Sequence, residues 1–199
     1  MIKSKKKITL IIALMIMLSA TFITTVQATT NTDIDFNNCL TQGKDIAYYI
    51  VSGNQYTASI PQAVSKLRYP KGLWNPIVLN RTYTKSYSKM DLYEIYDSTS
   101  DANAYTQYYK AKTNGSENIA YINELDYIEW IYNKIFINDY HMKNYDNDLQ
   151  STVILHEMCH CYGGADVYDN SATIMYGWTP VVRGMTKDFN DILVQKYNY

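Results

Sequence analysis

Apolar residues recur along the chain in two rhythms. Dense apolar and aromatic runs, DIAYYIVS at 45–52, PIVLNRTYT at 76–84, KMDLYEIYD at 89–97 and WIYNKIFIN at 130–138, lie between polar or glycine- and proline-containing stretches and predict strands. A helical spacing opens at Pro61, with Ala63, Val64 and Leu67 on one side, and breaks at Pro70, Gly72 and Pro76. A longer helix runs through LQSTVILHEMCHCY; Asn147 with Gln150 three residues on has the form of a reciprocal N-terminal cap, and Gly163-Gly164 ends it. The tail TKDFNDILVQKYNY reads as a last helix capped by Thr186, with Phe189, Ile192, Leu193 and Tyr197 on one face. Residues 29–44 are polar and irregular, HMKNYDNDLQS is turn-rich, and the polar stretch up to about Glu117 has no assignable state. The order is strand, helix, several strands, long helix, loop, helix, an α+β pattern.

Length and charge narrow the class. With 199 residues and 47% hydrophobic content the chain can bury a real core, and without repeat or linker residues 45–199 read as one domain. A net charge of -1 gives no reason to expect a nucleic-acid partner. The basic start MIKSKKK, the apolar run ITLIIALMIML and the stretch ending Val26-Gln27-Ala28 form a secretory signal over 1–28, which predicts a secreted protein without stable membrane association. The rival reading is a retained membrane anchor, since the apolar run stretches almost to spanning length. Export permits a disulfide, and of the three cysteines Cys159 and Cys161 are too close on a helix to bridge each other. Cys39 with one of them is the expected pair.

The chemistry lies in HEMCHCYGGADVYDNSATIMYG, residues 156–177. Residues four apart on a helix sit about 40 degrees from each other, so His156 and His160 project from one side and can grip one ion. Glu157, about 100 degrees round from His156, can reach a bound water without ligating. Met158 turns to the opposite side with Ile154 and Leu155, which predicts core there. The bland reading is two histidines on a solvated helix face. No histidine follows His160, no glutamate follows Glu157, and His141, upstream, reads as a surface residue. A third protein ligand must therefore come from the aspartates, among which Asp166 leads because Gly163 can swing the chain back beneath the helix. Asp169 stands behind it as an alternative, and a plain turn aspartate as another.

HExxHxxGxxD followed by a Met-containing turn resembles the metzincin metallopeptidases, in the variant with Asp as third ligand. Snapalysins carry that Asp and a tyrosine two residues later, as Tyr168 is here, and IMYG is similar to the matrixin Met-turn. The resemblance implies a mixed twisted sheet with a backing helix and an active-site helix, and a small C-terminal subdomain ending in a helix. It further implies one zinc ion on His156, His160 and Asp166, with a fourth position for water, and hydrolysis of peptide bonds in a protein or peptide substrate with Glu157 as general base. Tyr168 would steady the oxyanion and Met175 would floor the site. Two departures stand out: Cys159 replaces a common glycine and would flank the metal-facing side, and Asp for His lowers the site's charge, leaving bound water less acidic. A fungal-type family with Asp in a GTxDxxYG segment is similar too, but GGADVYDN fits it less well. From another class, the rival is a secreted zinc-stabilised binding or structural module without turnover. Cys39 could cover the zinc as a latency thiolate, and Asp139, Asp146 and Asp148 could hold structural calcium, though no full loop pattern is present. A monomer is expected.

Overall fold

A computed structural model describes residues 34–113, 116–178 and 180–198. The expected signal segment 1–28 lies outside them, as do residues 29–33. Six strands are ordered β2-β1-β3-β6-β4-β5: β1 Asp45–Ile50, β2 Val78–Arg81, β3 Met90–Ile95, β4 Ala104–Thr113, β5 Ser116–Ala120 and β6 Tyr132–Asn138. The first four in that order run parallel, while β4 is antiparallel to both β6 and β5. The protein is thus a mixed α/β molecule with a six-stranded mixed sheet, compatible with the α+β pattern.

One sheet face carries Ile46, Tyr48 and Ile50, Met90 and Leu92, Ile135 and Ile137, all buried. Helix α1, Ser59–Arg68, covers part of it with Ile60, Ala63, Val64 and Leu67. It starts two residues before Pro61, so proline falls in the first turn, where its missing N–H goes unnoticed. After a short helix α2, Asp139–Met142, helix α3, Asn147–Cys161, packs against α1, β4 and β6. Ile154, Leu155 and Met158 are fully buried, as their spacing requires. Helix α4, Lys187–Tyr197, buries Phe189, Ile192, Leu193 and Tyr197. On the opposite sheet face Tyr93, Phe136 and Tyr105 stack in register, with centroids 5.2 and 4.8 Å apart.

Several expectations change. The unassigned stretch holds β4 and β5. The cap of α3 is Asp146, whose carboxylate accepts the Leu149 N–H at 2.8 Å, instead of Asn147. Gln150 does not close the reciprocal cap: its amide reaches back past the helix start to donate to the carbonyls of Met142 and Tyr145 and accepts from Ser59, tying α1 to α3. Thr186 does occupy the cap position of α4, yet its hydroxyl accepts from the Ile174 N–H at 3.0 Å and so joins the Met175 turn to this helix. All three cysteines are free thiols. Cys159 does not flank the cleft: it is fully buried in the core and is not among the residues that line the cleft. Burial pushes the thiols of Cys159 and Cys161 well above their ordinary range. Cys39 sits behind the site, against Gly163 and Tyr197. Among the described residues no helix is long and apolar enough to cross a membrane.

Candidate metal centre

Helix α3 brings the imidazoles of His156 and His160 to within 4.6 Å, centroid to centroid, and nearly perpendicular. Each ring is fixed from behind. His156 Nδ1 lies 2.7 Å from the Ile174 carbonyl oxygen, and His160 Nδ1 lies 2.9 Å from that of Gly164. A carbonyl only accepts, so both Nδ1 atoms carry the proton and the Nε2 atoms face inward as lone pairs. There they meet Asp166: its Oδ1 is 3.1 Å from His156 Nε2 and 3.5 Å from His160 Nε2. Three acceptors pointed at one spot repel one another unless a cation lies between them. In the metal-free protein that cation is a proton. Burial pulls His160 down, but the hydrogen bond and charge of Asp166, with the charge of Glu157, outweigh it and lift the imidazole to about 9. For Asp166 burial acts upward, and the two histidines overcome it, holding the carboxyl far below the usual carboxylate range. Two imidazoles and one carboxylate, each imidazole backed by a carbonyl, are a donor set that fits zinc.

Glu157 is buried beside this trio, and one ligating atom each from His156, Glu157 and His160 lies within 4.8 Å of the others. Thr106 of β4 orients it, its hydroxyl 2.8 Å from Glu157 Oε2 and 3.0 Å from the Glu157 carbonyl. Thr106 is a site residue that the sequence does not single out, since a threonine among tyrosines in an unassigned stretch carries no motif.

The remaining parts sit on the segment after α3. Gly163 takes φ +104, the left-handed conformation that turns the chain back under the helix. Val167 and Tyr176 form a parallel bridge, with Val167 N–H bound to the Met175 carbonyl and Gly177 N–H to the Val167 carbonyl. This small ladder holds Asp166 and the Met175 turn side by side. Met175 is fully buried, and a Cβ on Gly164 would meet its Cε at 2.7 Å. A Cβ on Gly177 would lie 2.7 Å from the Tyr168 ring and 3.0 Å from Asp166 Oδ1, so glycine is what allows these two side chains to close in. Tyr168 is 55% exposed, packs edge-on against Trp178 at 5.1 Å, and reaches Asp166 Oδ2 with its hydroxyl at 3.5 Å. The charge of Asp166, more than burial, raises its phenol and keeps it protonated. Arg183 braces the turn by donating to the carbonyls of Ser171 and Thr173.

A cleft of about 940 Å³ opens over the trio. One wall is Ala104–Thr106 of β4 and the 101–103 segment before it, the other Tyr176, Trp178 and Val181. His141 lines this cleft with Nε2 2.8 Å from the Ser100 carbonyl, whereas the sequence reading left it on the surface. Asp169 stays on an exposed turn, and Cys39 is not in the cleft wall. The three aspartates considered for calcium are engaged separately: Asp139 accepts from the Tyr56 hydroxyl, Asp146 caps α3, and Asp148 accepts from Gln62. No known family model matches the chain, and no curated protein matches it either.

Proposed function

We propose that this chain is a secreted, monomeric zinc-dependent endopeptidase of the metzincin type, its ion held by His156, His160 and Asp166. The observation that carries this is the convergence of two inward-facing Nε2 atoms on one carboxylate oxygen, with a buried glutamate alongside. Zinc, when bound, supplies Lewis acidity toward a water and a peptide carbonyl.

The chain's own residues account for the rest. Glu157 accepts a proton from the attacking water and returns it to the leaving amine. Thr106 occupies Glu157 Oε2, which leaves Oε1 for that transfer. The Tyr168 hydroxyl, protonated and half in solvent, donates to the oxyanion that develops on the carbonyl. Met175 packs as an apolar floor under the loop and ligates nothing. A polypeptide fits such a cleft because β5 pairs with β4 only from Tyr108 onward. Ala104–Thr106 of this uncovered stretch line the cleft, where an extended peptide can match the main chain of β4.

Zinc content and cleavage of denatured casein by the purified protein test this directly. Glu157→Gln should keep its zinc and lose at least about a hundredfold in rate, the range of general-base catalysis. Asp166→Ala should lose the zinc itself. Undiminished cleavage by Glu157→Gln rejects the assignment of the base; one tightly held zinc with no cleavage of any peptide turns the reading to a zinc-stabilised binding module.

A further inference from the structure

The segment between the second and third ligands is not held by its own backbone alone. Residues 34–36, from near the start of the described chain, lie antiparallel to it: Asp35 bridges Gly164, the Phe36 N–H donates to the Gly163 carbonyl at 2.8 Å, and the Ala165 N–H donates to the Ile34 carbonyl at 2.9 Å. This strap is in turn fastened to the last helix. Lys196 Nζ is 3.0 Å from Asp35 Oδ2 and donates to the Phe36 carbonyl at 2.6 Å, and the two side chains are only 11% and 18% exposed. Gly163 is fitted to the strap as well, since a Cβ there would meet the Asn38 carbonyl at 2.9 Å.

What the strap grips is the part of the loop that sets the centre. Gly164 provides the carbonyl that orients His160, and Ala165 precedes Asp166. Two adjacent glycines make this segment intrinsically free, so its geometry must be imposed from outside. A ligand's partner that is held in place keeps the ligand's lone pair aimed, and loss of such support weakens metal binding by about ten- to a hundredfold.

We propose that Asp35 and Lys196 are positioning residues for the metal centre, an ion pair between the strap and the last helix that locks the strap onto Gly163–Ala165 and thereby fixes His160 and Asp166. It rests on the reading of the trio as a zinc site. Neither side chain lines the cleft, and neither takes part in proton transfer.

The test measures zinc affinity of the full chain by competition with a chromophoric chelator, together with the visible absorption of the Co²⁺-substituted protein and its Tm. Lys196→Met should bind zinc about tenfold more weakly and broaden the Co²⁺ bands. Lys196→Arg, which keeps charge and donor, should restore both. Asp35→Asn, a milder change that keeps the strap's shape, should weaken zinc in the same direction if Lys196→Met does not fold. Variants that melt earlier yet bind zinc as tightly as the wild type, with an unaltered Co²⁺ spectrum, overturn this inference alone. A wild-type chain that takes up no zinc overturns the site reading and this inference with it.

Discussion

The two halves of the centre are held in different ways. His156, Glu157 and His160 stand on one uninterrupted helix, and their mutual placement follows from its pitch. Asp166, Tyr168 and Met175 stand on a loop whose shape is borrowed from elsewhere: the 34–36 strap, the Val167–Tyr176 ladder, the close approach at Gly177 and the Arg183 brace. The helix half takes its backbone placement from local geometry alone, and only the aim of its side chains is set from outside, by the carbonyls of Ile174 and Gly164 and the hydroxyl of Thr106. The loop half is exposed to any substitution that disturbs a contact far along the sequence, and Asp166, the proposed third ligand, inherits that sensitivity.

Gly164→Ala should show this contrast most strongly. The added methyl would press on Met175 and, at 2.9 Å, on the buried Phe189 ring, so a loss of about 1–3 kcal/mol is expected from overpacking. Urea unfolding gives the stability, and chelator competition should show zinc loosened as well; a variant with both intact would erase the distinction between the halves. Thr106→Val probes the helix half. It removes one hydrogen bond to Glu157, a charged acceptor, and should lower kcat about tenfold while leaving zinc content unchanged.

A smaller effect joins the halves. In zinc-free protein His160 has its folded value, about 9, above the ordinary 6.5, so its stabilising contribution is complete below about 6.5 and is lost as pH rises through 9. The Tm of the chelator-treated protein should therefore fall between these pH values, and Asp166→Asn should flatten the slope. Zinc-loaded protein, with the ion in place of the proton, should lack it. Lys187→Ala, which breaks an exposed pair with Asp191 on α4 outside both halves, should change stability by less than about 0.5 kcal/mol.

This division also explains what could be read from residues alone. A fixed helical repeat makes His156, Glu157 and His160 legible, and with them the buried Ile154, Leu155 and Met158. Asp166 could be reached only by elimination and a glycine bend, because nothing local places it. β4 carries no legible period because Ala104 and Thr106 on the α3 side are small or polar, while aromatics fall on both faces, Tyr108 on one and Tyr105 and the buried Tyr109 on the other. Asp146 and Asn147 both suit a cap, and the sequence does not show that the side chains of Asn147 and Gln150 meet Ser59, far away in sequence. The strap, Ile34-Asp35-Phe36, is too short to show a period and lies in a mostly polar stretch, and its fastening comes from Lys196, far along the sequence.

The half-covered fourth strand carries one more consequence. Among the described residues no strand pairs with Ala104–Gln107 on the side away from β6, so the edge proposed to receive an extended substrate would equally receive another copy of this protein and seed self-association. At high concentration, crowding of this kind should appear first as loss of accessible groove, and short extended peptides should act as solubilisers before they act as inhibitors.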